Sequence, residues 1–176
     1  MKFLPFIYVE IKGNRRLFPL IEIIFWPLII VSSLGLFTIF TKIPLSMKMF
    51  LFTGIMGWVT VYLSHHFLAR GFMTCVWHNT LKQIFSSPIS LKDLVIGHAI
   101  YGTVAAMVGF IIVSVFTMTF FDFNIFTLGF YLIPIVILGC LAGIVIGSIA
   151  VSLVVLLGLR VELLIWTIID IIVFIS

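Results

Sequence analysis

The sequence predicts an all-α integral membrane protein. It has an N-terminal helix lying at the bilayer interface, about five transmembrane helices of which the fifth is incomplete, and a short amphipathic helix between the second and third spans. Three observations lead there. Hydrophobic residues make up 63% of the 176 residues and charged residues 9%, against roughly half and about a quarter in soluble domains. The apolar residues fall into runs of about 20 or more, enough for a helix to cross a ~30 Å hydrocarbon layer. The basic residues collect between alternate runs, as they do in cytoplasmic loops.

The elements follow in order within one domain, residues 1–176. Residues 1–17 mix Lys2, Lys12, Arg15 and Arg16 with Phe3, Leu4, Phe6, Ile7, Tyr8 and Val9, a blend suited to the headgroup region. The apolar stretch there is too short for a cleavable signal peptide, contains Pro5, and runs into Glu10 and Lys12. Residues 18–69 hold spans 1 and 2, the first at 18–40 with Pro27 inside it and the second at 49–69, ending at Arg70. A polar segment, 70–93, precedes spans 3 and 4 in residues 94–157. The fourth is long enough to tilt, to bend at Pro134, or to begin with an interfacial piece. A fifth apolar segment occupies 162–176; from Leu163 it offers 14 residues where a span needs about 20. The fifth helix is therefore expected to be incomplete and the chain a fragment.

Charge sets the orientation. With the N-terminus inside, the cytoplasmic segments hold Lys2, Lys12, Arg15, Arg16, Arg70, Lys82, Lys92 and Arg160, and the outer ones only Lys42 and Lys48. The formal net charge of +4 is thus accounted for by topology, and no nucleic-acid-binding pattern accompanies it.

Enzyme constellations are absent from the sequence. It has no GxxxxGK[ST] phosphate loop, no HExxH and no GxSxG. Cys75 and Cys140 form no paired metal motif and read as small apolar fillers. His65 and His66 are adjacent and point about 100° apart on a helix, so they read as an interfacial polar pair and not as a one-face ligand pair. Gly139, Gly143 and Gly147 recur every four residues, a spacing that lets another helix approach backbone to backbone, within the domain or between two copies. Glu22, His98, Glu162 and Asp170 fall within or at the edges of spans, where charge is costly. Glu22 and Glu162 are placed to pair with Arg16 and Arg160. Asp170 lies deeper, to line a polar passage or cap a helix break.

The segment between spans 2 and 3 is the most informative. Leu81, Ile84 and Phe85 share one helical face, leaving Lys82 and Gln83 on the other. Ser87-Pro88 ends that short helix, and Ser90 with Asp93 three residues on forms a capping box for the next.

Asn79-Thr80-Leu81-Lys82-Gln83-Ile84-Phe85-Ser86-Ser87-Pro88-Ile89-Ser90, followed by Asp93-Leu94 and Gly97, resembles the stretch that follows the second span in ABC transporter permeases of the type-2 class. The order of spans and the small-residue fourth span resemble that family too, and Glu162 to Trp166 resembles its helix before an external hairpin and sixth span. The sequence departs from the family at Asn79, where Gly is usual, and at Lys82, where Glu is usual. The resemblance implies half of the translocation pathway of an exporter in a prokaryotic plasma (inner) membrane. It implies a second permease copy or homologue, and a separate ATP-binding-cassette ATPase that binds ATP and Mg. This chain itself carries no cofactor. Thr80, Leu81, Lys82, Ile84, Phe85, Ser87 and Pro88 are then the ATPase-coupling residues, with Ile84 and Phe85 as docking contacts. The exported substrate stays open, since relatives move drugs, lipids, polysaccharides and peptides. A fragment of a secondary transporter or channel, or a non-transporting membrane assembly factor, is the competing reading.

Overall fold

A computed structural model describes residues 4–13, 17–88, 90–158, 162–163, 166–167 and 171, with the side chains of 9–13, 17–20 and 85 excepted. Asp170, Arg160, Lys2, Arg15, Arg16 and most of the predicted fifth segment lie outside the described residues. The chain is 90% helical with no strands among the described residues. The helices are α1 (Leu4–Gly13), α2 (Leu17–Phe40), α3 (Leu45–Trp77), α4 (Leu81–Phe85), α5 (Leu91–Phe121) and α6 (Leu132–Leu157), with a 3-10 segment, Ile125–Tyr131, before α6.

Four stretches are long and apolar enough to cross a membrane: Ile21–Phe40, Leu45–Trp77, Leu91–Phe121 and Ile125–Leu157. Their packing shows what solvent they expect. Along α6, Ile133, Ile137, Leu141, Val145 and Ile149 are each about half exposed, while Gly139, Gly143 and Gly147 are buried. The small residues face inward and the large apolar ones outward, the reverse of a soluble helix and the pattern of one bathed in lipid. α5 repeats it, with Val104, Met107, Ile111 and Val115 outward and Gly102, Ala105, Ala106 and Gly109 inward.

The helix ends follow local chemistry. α2 gives way at Thr41 and at Lys42, whose φ is 49°, and Pro44 opens α3. Pro27 lies inside α2, leaving the Ile23 carbonyl without its helical amide. α3 continues past the predicted end at Arg70 to Trp77. No proline or left-handed residue interrupts 71–77, and the first break is Asn79 at φ 54°. Its 33 residues make a rod of about 50 Å at 1.5 Å per residue, so one end projects beyond the hydrocarbon. The fourth span begins with the 3-10 segment, broken at Gly129 (φ 56°); Pro134 then falls in the first turn of α6, where proline is tolerated.

α3 is the central element, packed mainly against α5 and α6, while α2 leans on α5 and α3, and α1 on α5. One core cluster surrounds Phe52, Met56, Val59 and Leu63 with Phe110 and Val113. A second gathers Leu68, Phe72 and Met73 with Leu94, Val151 and Phe6. The strand-free connectivity puts Lys42 and Lys48 at one end of the bundle and α4, Lys82 and Lys92 at the other. At the first end Lys48 Nζ donates to the Phe121 carbonyl at 2.5 Å, supplying a cation to the C-terminus of α5.

Candidate functional site

Three groups of the predicted residues can be located, and each is built differently. The first is the α3–α4–α5 junction. α3 ends in a Schellman motif: the Thr80 amide donates to the Cys75 carbonyl and the Asn79 amide to the Val76 carbonyl, both at 3.0 Å. Asn79 holds the left-handed position of that motif, which glycine fills most easily and asparagine next. Asparagine here therefore keeps the backbone geometry that a glycine would give. Thr80 Oγ1 also donates to the Cys75 carbonyl at 3.2 Å, and the Thr80 carbonyl accepts the Ile84 amide at 3.0 Å. One threonine thus ties the end of α3 to the start of α4.

Leu81 and Ile84 are half-buried against the second core cluster, whereas Lys82 and Gln83 are exposed. Leu81 and Ile84 thus hold α4 to the bundle, and its polar face is left outward. The Phe85 side chain lies outside the described residues. Ser87 Oγ donates to the Ile84 carbonyl at 2.5 Å, closing α4 just before Pro88. The predicted capping box is present: Asp93 N donates to Ser90 Oγ at 3.2 Å and Ser90 N to Asp93 Oδ2 at 3.1 Å.

The second group is the glycine face of α6. A Cβ on Gly143 would meet Ser64 Cβ at 2.8 Å and His65 N at 3.1 Å, and one on Gly147 would meet the His65 carbonyl at 3.3 Å. Gly139 lies on Thr60 and the Gly57 carbonyl. Of the two uses the spacing left open, these contacts lie within the chain, on α3. Gly102 of α5 packs on the other side of the same turn, its Cβ position 2.8 Å from the Ser64 carbonyl. That second small-residue face was not singled out in the sequence, although Gly102, Ala105, Ala106 and Gly109 recur at helical spacing.

The third group is polar. Glu22 accepts a hydrogen bond from Arg70 and lies 3.6 Å from His66 Nε2. The expected partner, Arg16, lies outside the described residues; the observed ones come from α3. Both Glu22 and Arg70 side chains are 22% exposed, so the pair is largely removed from solvent, where neutralising each other lowers the cost of either charge. His65 is buried, its backbone packed against Gly143 and Gly147 of α6, and it lines the same cavity as His66, so the adjacent histidines are not merely an interfacial polar pair. His98 is buried between Gly71 and the Phe6 ring, 5.8 Å away. Among the described residues no group of three His, Cys, Asp or Glu side chains is placed to hold a metal.

Beside Glu22–Arg70 runs a groove between α2, α3 and the helical residues Trp166 and Thr167. It consists of two adjoining cavities of about 340 and 290 Å³ that share His66 and Trp166. One is lined by Trp26, Ile30, Trp58 and Tyr62, the other by Glu22, Arg70 and Trp77. Trp58 stacks on Tyr62 at 4.9 Å, Tyr62 on His66 at 5.4 Å, and Trp166 lies 5.2 Å from His66 and 6.4 Å from Trp77. The groove escaped the sequence reading because its residues are separated by up to about 140 positions, with no local motif to join them. No family model, curated protein or solved structure matches the chain, so the arrangement stands on its own residues.

Proposed function

We propose that this chain is the membrane-spanning permease subunit of an ATP-driven exporter, with α4 as the element that couples it to a separate ATPase. The observation that carries the reading is the construction of α4: five residues welded to α3 through Thr80, pressed to the bundle by Leu81 and Ile84, and showing a polar face outward. A short helix fixed this way moves with α3 and α5 and not as a loose loop, which a lever between a partner's closure and the spans requires. The basic-residue count supports a cytoplasmic position for the α4 end, where ATP is available. In this reading ATP hydrolysis falls to the partner, in keeping with the lack of a phosphate-loop motif in these 176 residues.

In this reading two permease chains pair around the pathway, α1 lies in the headgroup layer, and the exposed edge of α4 formed by Lys82 and Gln83 meets the ATPase. The substitution of Lys for the usual Glu at residue 82 then asks for an acidic residue opposite it on the ATPase. The test is co-expression of the full chain with each phosphate-loop ATPase of the same genome, followed by affinity purification in detergent. Stoichiometric recovery of the ATPase, lost on Lys82→Glu, is the expected result. Recovery unaffected by Lys82→Glu and by Gln83→Glu removes α4 as the contact, and no association at all removes the exporter reading.

A further inference from the structure

All four tryptophans of the chain, Trp26, Trp58, Trp77 and Trp166, line the one groove beside Glu22 and Arg70. Anchoring at the bilayer surface does not explain this, because anchors sit at headgroup level. Trp58 and Trp77 lie on the same helix about 28 Å apart at 1.5 Å per residue, so they occupy different depths. The groove therefore runs from the interface into the hydrocarbon layer. Its charged pair, Glu22 and Arg70, lies at one end, and Ile30, Trp58 and Tyr62 line the other together with His65, while His66 borders both. Trp26, inside the apolar span of α2, is 51% exposed, so the α2 side of the groove opens sideways toward lipid. A groove with a polar head region, an aromatic body and a lateral mouth has the shape of one amphiphile.

The charge arrangement narrows the head. Glu22 and Arg70 are in contact, so together they present a dipole with no net charge. A head of either single sign gains from one partner and is repelled by the other. A head carrying both signs lies antiparallel to the pair and gains from both. Indole faces also favour an ammonium group, and Trp26 stands one helical turn from Glu22 on the same face of α2.

We propose that the groove is a binding site for a single zwitterionic membrane amphiphile. Its ammonium rests between the Glu22 carboxylate and the faces of Trp26 and Trp166, its phosphate or carboxylate on Arg70, and its chain along Tyr62 and Trp58. The assignment goes beyond the coupling role of α4 and does not depend on it, since binding requires no ATPase.

Because the only tryptophans are in the groove, intrinsic fluorescence reports on it directly. The full chain in detergent micelles is titrated with three probes that share a dibrominated 18-carbon chain: a lysophosphocholine, a trimethylammonium and a fatty acid. The expected result is saturable quenching by the lysophosphocholine, half-maximal at a mole fraction about tenfold lower than for the other two. Glu22→Gln with Arg70→Met is expected to raise that midpoint about tenfold. If the double variant does not fold, Trp166→Leu, which removes an aromatic face and no charge, is expected to weaken binding in the same direction. Quenching that rises without saturation and equally for all three probes shows ordinary lipid contact and overturns the site. Tighter binding of the cationic or the anionic probe overturns the zwitterion assignment. Saturable zwitterion binding by a chain that recruits no ATPase leaves this site standing and refutes only the exporter reading.

Discussion

Replacing Gly143 by alanine places a methyl carbon in the seam between α3 and α6. That carbon would stand 2.8 Å from Ser64 Cβ and 3.1 Å from His65 N, and against the Val61 carbonyl oxygen. Carbon atoms rest about 3.5–4.0 Å apart, so α6 has to withdraw by roughly 1 Å. Two of the three obstructing atoms belong to the α3 backbone and cannot rotate aside. The withdrawal is shared by Gly139 and Gly147 on the same seam, where dispersion between close backbones replaces the absent hydrophobic drive. Overpacking of this kind costs about 1–3 kcal/mol. At about 2–4 °C per kcal/mol for a chain of this size, thermal unfolding in detergent should fall by roughly 2–12 °C. Gly54→Ala is the internal control: it lies on α3 with no atom within 4 Å of the added carbon, and should gain about 0.5–1 kcal/mol from reduced backbone freedom. If Gly143→Ala unfolds at or above the temperature of Gly54→Ala, the glycines are not the contact that assembles the bundle.

Three further outcomes are expected. Asn79→Gly should leave stability within about 1 kcal/mol, whereas Asn79→Val should cost roughly 1–2 kcal/mol, because a β-branched residue resists φ near 54°; denaturant unfolding of the two variants checks the sign. Glu22→Gln leaves Arg70 facing a neutral amide in a largely dry setting and should cost about 1–3 kcal/mol, between the surface and buried ranges. Most of that should be recovered when Arg70→Met is added, and a double-mutant cycle with no coupling contradicts the pairing. In intact cells, an impermeant maleimide should label a cysteine placed at Lys48 and spare one placed at Lys82, on a background without Cys75 and Cys140; the opposite pattern inverts the proposed orientation.

Legibility in the sequence tracked how local each signal was. Spans 1, 3 and 4 could be read within a few residues because uninterrupted apolar length is a property of the segment itself. Arg70 predicts the end of span 2 because an arginine ordinarily marks the interface. In the structure α3 continues through it, since Glu22, 48 residues earlier, supplies the compensating charge. The Ser90–Asp93 capping box is readable because it is complete within four consecutive residues. The inward turn of Leu81 and Ile84 was not. Amphipathicity identifies an apolar face but not whether the bundle or a partner covers it, and here the second core cluster does. The groove was least legible of all: its tryptophans come from α2, α3 and residue 166, and only the packing of α2 on α3 brings them together.

The contact proposed for α4 is tested most directly by covalent capture. A cysteine replacing Lys82, on the background lacking Cys75 and Cys140, carries a short maleimide photo-crosslinker in membranes containing the co-expressed phosphate-loop ATPase. The account predicts a cross-linked permease–ATPase species whose yield changes when ATP and Mg are added, and no such species from a probe at Lys48 on the opposite end. Equal yields from both positions, or none from residue 82 while the ATPase is bound, would contradict it.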